Sequence, residues 1–87
     1  MYAVIMNVTF IDRSAAEGEL PELVSQVSRI PGFVAGYWVK LSADQGTATV
    51  VFESEEGAQA VAAQARSAPA GSVTTDSIEV GQVMGHA

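Results

Sequence analysis

Few residues in this 87-residue sequence carry the chemistry of a reactive site. His86 is its single histidine and the one side chain whose ordinary pKa lies near neutrality, which makes it the first candidate for acid–base work. Its position beside Gly85 and Ala87 predicts a short solvated tail instead. Asn7 lies among apolar neighbours, where its amide has the chemistry to hold the oxygen of a bound phenol or enolate. The same amide satisfied by backbone or water is the commoner arrangement. Tyr37 and Trp38 offer aromatic surface for stacking on a ring, but as neighbours on a strand they point to opposite faces, so only one can line a given cavity. Aromatics so placed are more often core or interface anchors. Asn7 is therefore the one candidate catalytic group, and Asn7 and Trp38 are the candidate pocket residues.

Other chemistries find no residues to work with. Glu53, Glu55 and Glu56 read as acids at the start of a helix, not as metal ligands, and there is no second histidine for a metal triad. The sequence has no cysteine, which removes thiolate nucleophiles, thiolate metal sites and disulfides, and permits a cytoplasmic location. No Ser/His/Asp spacing, P-loop or dinucleotide fingerprint is present. The expectation is no cofactor and no metal.

Composition narrows the partners. Ten acidic residues against four basic ones give a net charge of −6, and Arg13, Arg29, Lys40 and Arg66 are scattered, which argues against nucleic acid and anionic membrane as partners. The opening MYAVIMNVTF lacks a basic segment and a cleavage site and carries polar Asn7 and Thr9, so no signal peptide and no membrane span are read. Hydrophobic residues are 48% and charged residues 16% of a chain near the small end of what can bury its own core. Such a surplus of apolar side chains calls for cover, from a second copy or from a ligand.

The elements that would position Asn7 and Trp38 follow from periodicity. Tyr2 to Ile11 alternates with apolar residues in both sets, which predicts a strand covered on both faces. Ser14-Ala15-Ala16-Glu17 has capping-box spacing, but Pro21 would then fall inside the helix, so the regular helix is placed from about Glu19 with Pro21 in its first turn. Leu20, Leu23, Val24, Val27 and Ile30 form its apolar stripe, and Pro31-Gly32 stops it. A second strand runs from Phe33 to Ser42, with Phe33, Ala35, Tyr37, Val39 and Leu41 on one face and Val34, Gly36, Trp38 and Lys40 on the other. Ala43-Asp44-Gln45-Gly46 is a hairpin turn with Gly46 at a positive φ, and Thr47 to Glu53 is the third strand. Ser54 caps a second helix whose inner stripe is Ala58, Val61, Ala62 and Ala65. Ser67 to Ser72 is a loop, read as a plain crossover in preference to a lid. Val73 to Met84 is the last strand, irregular near Gly81.

This order is βαββαβ, a single α+β ferredoxin-like domain over residues 1–87 with two helices on one face of a four-stranded antiparallel sheet. The other sheet face is left bare, and two copies face to face would bury it symmetrically, so a homodimer is expected.

Pro31-Gly32-Phe33 with Gly36-Tyr37-Trp38, and Phe52-Glu53-Ser54-Glu55-Glu56 leading into the second helix, resemble the dimeric α+β barrel superfamily, within it the small antibiotic-biosynthesis-monooxygenase-like domains. The resemblance covers nearly the whole chain and implies that fold and a homodimer. That group includes cofactor-independent quinone-forming monooxygenases and haem-degrading enzymes, and Asn7 sits where those branches place an asparagine on the first strand. The tryptophan and the haem-ligating histidine that they carry around the second helix are missing here, where the sequence reads Gly57 to Ala65, GAQAVAAQA. The resemblance thus implies an oxygenase without haem, acting on an aromatic or polyketide-like small molecule, with Asn7 orienting an oxyanion and Trp38 stacking on the ring. The alternative is a non-catalytic homodimer that binds or senses a small apolar molecule.

Overall fold

The computed structural model describes residues 1–68 and 71–87. The elements are β1 (Tyr2–Phe10), α1 (Arg13–Ser28), β2 (Phe33–Lys40), β3 (Gln45–Phe52), α2 (Glu55–Ser67) and β4 (Val73–Gln82). The strands form one antiparallel sheet in the order β2-β3-β1-β4, the ferredoxin-like arrangement expected from the sequence.

Both helices cover one face of this sheet. Val4, Val50 and Phe52 are fully buried there, and Ala58 and Ala62 of α2 are fully buried against them. Alanine at both positions lets α2 approach the strands closely. Ser54 caps α2 by accepting a hydrogen bond from the Gly57 amide at 3.2 Å, and Glu55 and Glu56 occupy the first turn, where exposed N–H groups favour them. Arg66 lies in the last turn, where the dipole favours a cation.

The first helix begins earlier than its periodicity predicts. Asp12, not Ser14, is the cap, with its Oδ1 accepting from the Ala15 amide at 3.0 Å, and Pro21 lies inside the helix. The reason is tertiary. The Ser72 carbonyl accepts from the amides of both Ile11 and Asp12, at 2.8 and 3.0 Å, and fixes the chain entering α1 before the proline is reached. The cost is local, since Pro21 has no N–H to give to the Glu17 carbonyl. No residue of α1 is buried, against three in α2.

Three local expectations fail for identifiable reasons. The register of β2 on β3 shifts between Phe33 and Ala35, so Phe33 pairs with Phe52 and shares the helix-side face with Gly36 and Trp38, not the face of Tyr37 and Val39. Phe33 then meets Phe52 edge-on, with ring centroids 6.1 Å apart at 80°. The irregularity in β4 lies opposite Asn7 and Val8, where Asp76 is the extra residue, while Gly81 pairs regularly with Ala3. Gly46 is the second residue of β3 and has no positive φ; it is glycine for room, since a Cβ there would stand 2.8 Å from the Phe10 ring and 3.0 Å from the Val39 carbonyl. Gly36 is needed for the same kind of reason, since a Cβ there would stand 2.7 Å from the Trp38 ring that lies over it. Of the predicted loop from Ser67 to Ser72, Ser67 closes α2, and Pro69 and Ala70 lie outside the described residues.

Among the described residues Gly32 alone has a positive φ, at 86°, and it ends the turn that launches β2. Nothing lies within 4 Å of a Cβ built on it, so the cost of a side chain is purely conformational. Gly32→Ala is expected to lower stability by roughly 1–2 kcal/mol, read by urea denaturation. An unchanged midpoint would show that the turn relaxes freely.

The sheet face away from the helices is open. Ile5, Tyr37, Val39 and Leu41 are 40%, 65%, 47% and 61% exposed there, beside Ala3, Val51, Thr47 and Thr49. Both residue sets of β1 are thus explained, one by the helices and the other by this bare apolar surface.

Candidate functional site

Asn7 lies on the open face, paired across β1 with Thr47 and Ser77. Its Nδ2 donates to the Ser77 Oγ at 2.9 Å, and the next residue on that face, Thr9, donates through Oγ1 to the Asp76 Oδ2 at 2.7 Å. Trp38 pairs with Ala48, which pairs with Met6, so it stands on the opposite, helix-side face, half-buried against the core. The structure therefore does not bring Asn7 and Trp38 together. As expected, Tyr37 and Trp38 point to opposite faces. His86 is exposed in the irregular C-terminal segment.

A roomier concavity than the one beside Asn7 lies elsewhere. A groove of ≈ 680 Å³ runs between α1 and α2 over β4, within the size range of small-molecule sites. Leu23 of α1, Ala65 of α2 and Val73 and Ile78 of β4 give it apolar surface. Glu19, Arg66, Ser72, Asp76 and Ser77 supply its polar groups. Glu19 is already engaged, accepting from the Ser72 hydroxyl at 2.9 Å. Trp38 lines neither this groove nor a second cavity of ≈ 330 Å³ formed by Asn7, Val8, Leu41, Gln45, Gly46 and Asp76. Asp76 borders both cavities because the strand irregularity sets it out of the regular alternation.

Asn7 reaches the groove through one intermediary. Ser77 accepts from Asn7 on the open face and is also among the residues bordering the groove, so the amide ties this stretch of β4 to β1. Sequence reasoning missed the groove residues because nothing local marks them. Glu19 and Ser72 are 53 positions apart, Asn7 and Ser77 are 70 apart, and Asp76 owes its place to the irregularity in β4. Among the described residues no group of three or more His, Cys, Asp or Glu side chains is placed to hold a metal ion. Among them, too, no helix is long and apolar enough to cross a membrane.

Solved structures share this architecture over essentially the full chain. HapK from Hahella chejuensis superposes with a TM-score of 0.69 at 12% identity, covering 100% of this chain and 96% of its own. SnoaB, a cofactor-independent oxygenase from Streptomyces nogalater, gives 0.68 at 12% identity, covering 98% of this chain and 95% of its own. This chain shares their ferredoxin-like α+β fold. The heme-degrader MhuD from Mycobacterium tuberculosis, solved with two hemes in its active site, has the same fold at a TM-score of 0.57 and 18% identity, covering 98% of both chains. No protein-family model and no curated protein matches the sequence. The expected ferredoxin-like α+β fold is thus the observed one, and at these identities the likeness speaks for the fold alone.

Proposed function

We propose that this chain is a homodimeric, cofactor-independent monooxygenase-like protein that takes an aromatic or polyketide-like small molecule into the groove between α1, α2 and β4. The observation that carries the reading is the groove itself, apolar on three elements and fringed with hydroxyls, in a fold shared with a cofactor-independent oxygenase. In an anthrone-type substrate one methylene becomes a carbonyl, with one dioxygen consumed and one water released. The protein's part is to hold the ring in a dry slot and to orient its oxygen. Asn7 serves as a positioning residue, holding the Ser77 stretch of β4 that borders the groove. Trp38 contributes by packing behind β2 and β3. The second copy covers Ile5, Tyr37, Val39 and Leu41, and the absence of cysteine suits a cytoplasmic setting.

One observation favours a second reading, a non-catalytic small-molecule-binding or regulatory homodimer. Both groove carboxylates, Glu19 and Asp76, are exposed and already accept hydrogen bonds from neighbouring hydroxyls, which leaves the groove without a buried carboxylate held ready for a substrate. Dithranol, a dihydroxyanthrone, separates the two. Under air the oxygenase reading expects quinone absorbance that rises with protein concentration and falls at least about 10-fold in Ala65→Phe, which fills the groove. Asn7→Ala should reduce that rate with little change in affinity, and lost stability at an unchanged rate would remove Asn7 from the site. Dithranol binding without protein-dependent quinone supports the non-catalytic reading. No binding at all rejects the groove as the site for this ligand class.

A further inference from the structure

Among the elements lining the groove, α1 is the one least tied to the core. None of its residues is buried, and it reaches the core through Val27 in its last turn, with Ile30 packing just beyond its C-terminal end. Its first half is built differently. Gly18 carries no side chain and a Cβ there would meet nothing within 4 Å, and three residues later Pro21 deletes the helix bond to the Glu17 carbonyl. Glycine and proline so close together make a weak joint in the middle of the helix. The two α1 residues in the groove wall, Glu19 and Leu23, stand on either side of Pro21.

Across from this joint, Ser72 holds the first half of α1 twice. Its carbonyl accepts from Ile11 and Asp12, and its hydroxyl donates to Glu19 at 2.9 Å. The backbone pair fixes where the helix starts. The side-chain bond spans the groove from the segment before β4 to the middle of α1, and both of its groups are polar enough to be re-satisfied by water when it opens.

We infer that the Arg13–Leu20 half of α1 is a gate on the groove, latched by the Glu19–Ser72 hydrogen bond and jointed at Gly18 to Pro21. With the latch closed, Glu19 and Leu23 wall the groove. With it open, this half of the helix buckles outward between its anchor at Asp12 and its joint, and the groove widens toward solvent. The gate's role in ligand entry rests on the groove being the ligand site, whereas the motion itself does not.

Hydrogen exchange on the full chain reads the motion without any ligand. Ser72→Ala removes the latch and keeps the backbone carbonyl, and should raise exchange over Arg13–Leu20 by about 2- to 10-fold while β1 and α2 stay unchanged. Pro21→Ala restores the missing bond and should slow exchange over the same residues by about 10-fold or more. The inference is overturned if both variants leave exchange there within about 2-fold of the parent. It is equally overturned if the change in either spreads evenly to Val24–Ser28, since α1 would then open as one rod. Anaerobic stopped-flow mixing with dithranol adds the functional arm, expecting faster association in Ser72→Ala and slower in Pro21→Ala. Exchange responding as expected while dithranol fails to bind would leave the gate standing and reject the groove reading.

Discussion

Phe52→Ala is expected to lower the stability of the domain by about 3–5 kcal/mol, the largest effect of any single truncation in this chain. Phe52 is fully buried and joins four elements. It ends β3, pairs with Tyr2 of β1 and Phe33 of β2, meets the Phe33 ring edge-on, and packs beneath the first turn of α2. Removing the ring leaves a cavity at the junction of three strands and a helix, where strand pairing on both sides limits collapse. Because a domain of this size commands only about 5–15 kcal/mol in total, a large share of the molecules should unfold at moderate urea concentrations. A loss below about 1 kcal/mol, measured by equilibrium urea denaturation, would mean that the core is centred elsewhere.

Val39→Glu is expected to turn the proposed dimer into a folded monomer. Val39 lies on the open face between Tyr37 and Leu41, and at 47% exposure in the single chain a carboxylate there remains hydrated when the chain is alone. In a two-fold dimer the same substitution occurs twice in one interface, and each charge is stripped of water with no cation designed to meet it. The dissociation constant should rise by about 100-fold or more, since an unpaired buried charge costs several kcal/mol. Sedimentation equilibrium reads the mass and circular dichroism checks the fold. A dimer of unchanged affinity would show that the copies meet through another surface, and a parent that is monomeric at all concentrations would reject the homodimer.

Much of the architecture was legible because it is written in local patterns. The alternation of β1 announced a strand with two apolar faces, of which the helices cover one, Pro31-Gly32 marked the end of α1, and Ser54 with Glu55 and Glu56 marked the start of α2. What was not legible came from residues distant in sequence. The backbone hydrogen bonds from Ser72 pulled the start of α1 back to Arg13 despite Pro21, which no helix-start rule could foresee. The register shift after Phe33 moved that ring to the other face, and a one-residue slip is invisible to an alternation count. The candidate site was less legible than the fold. Asn7 and Trp38 were chosen for their chemistry, and the sheet places them on opposite faces. The groove is assembled from Glu19, Arg66, Ser72 and Asp76, which are unremarked polar residues until the fold gathers them.

The Trp38 ring, folded back over Gly36 and set against the core away from both cavities, has a practical consequence. As the sole tryptophan, it is the chain's own fluorophore, and its emission samples the seam where β2 meets the layer beneath the helices. Intrinsic fluorescence therefore follows unfolding from the β2 edge of the sheet, where the ring rests on the core. A compound entering the groove touches no part of this chromophore, so a spectral change on its addition would have to be transmitted through the sheet, and would itself measure how rigidly the two ends of the sheet are joined.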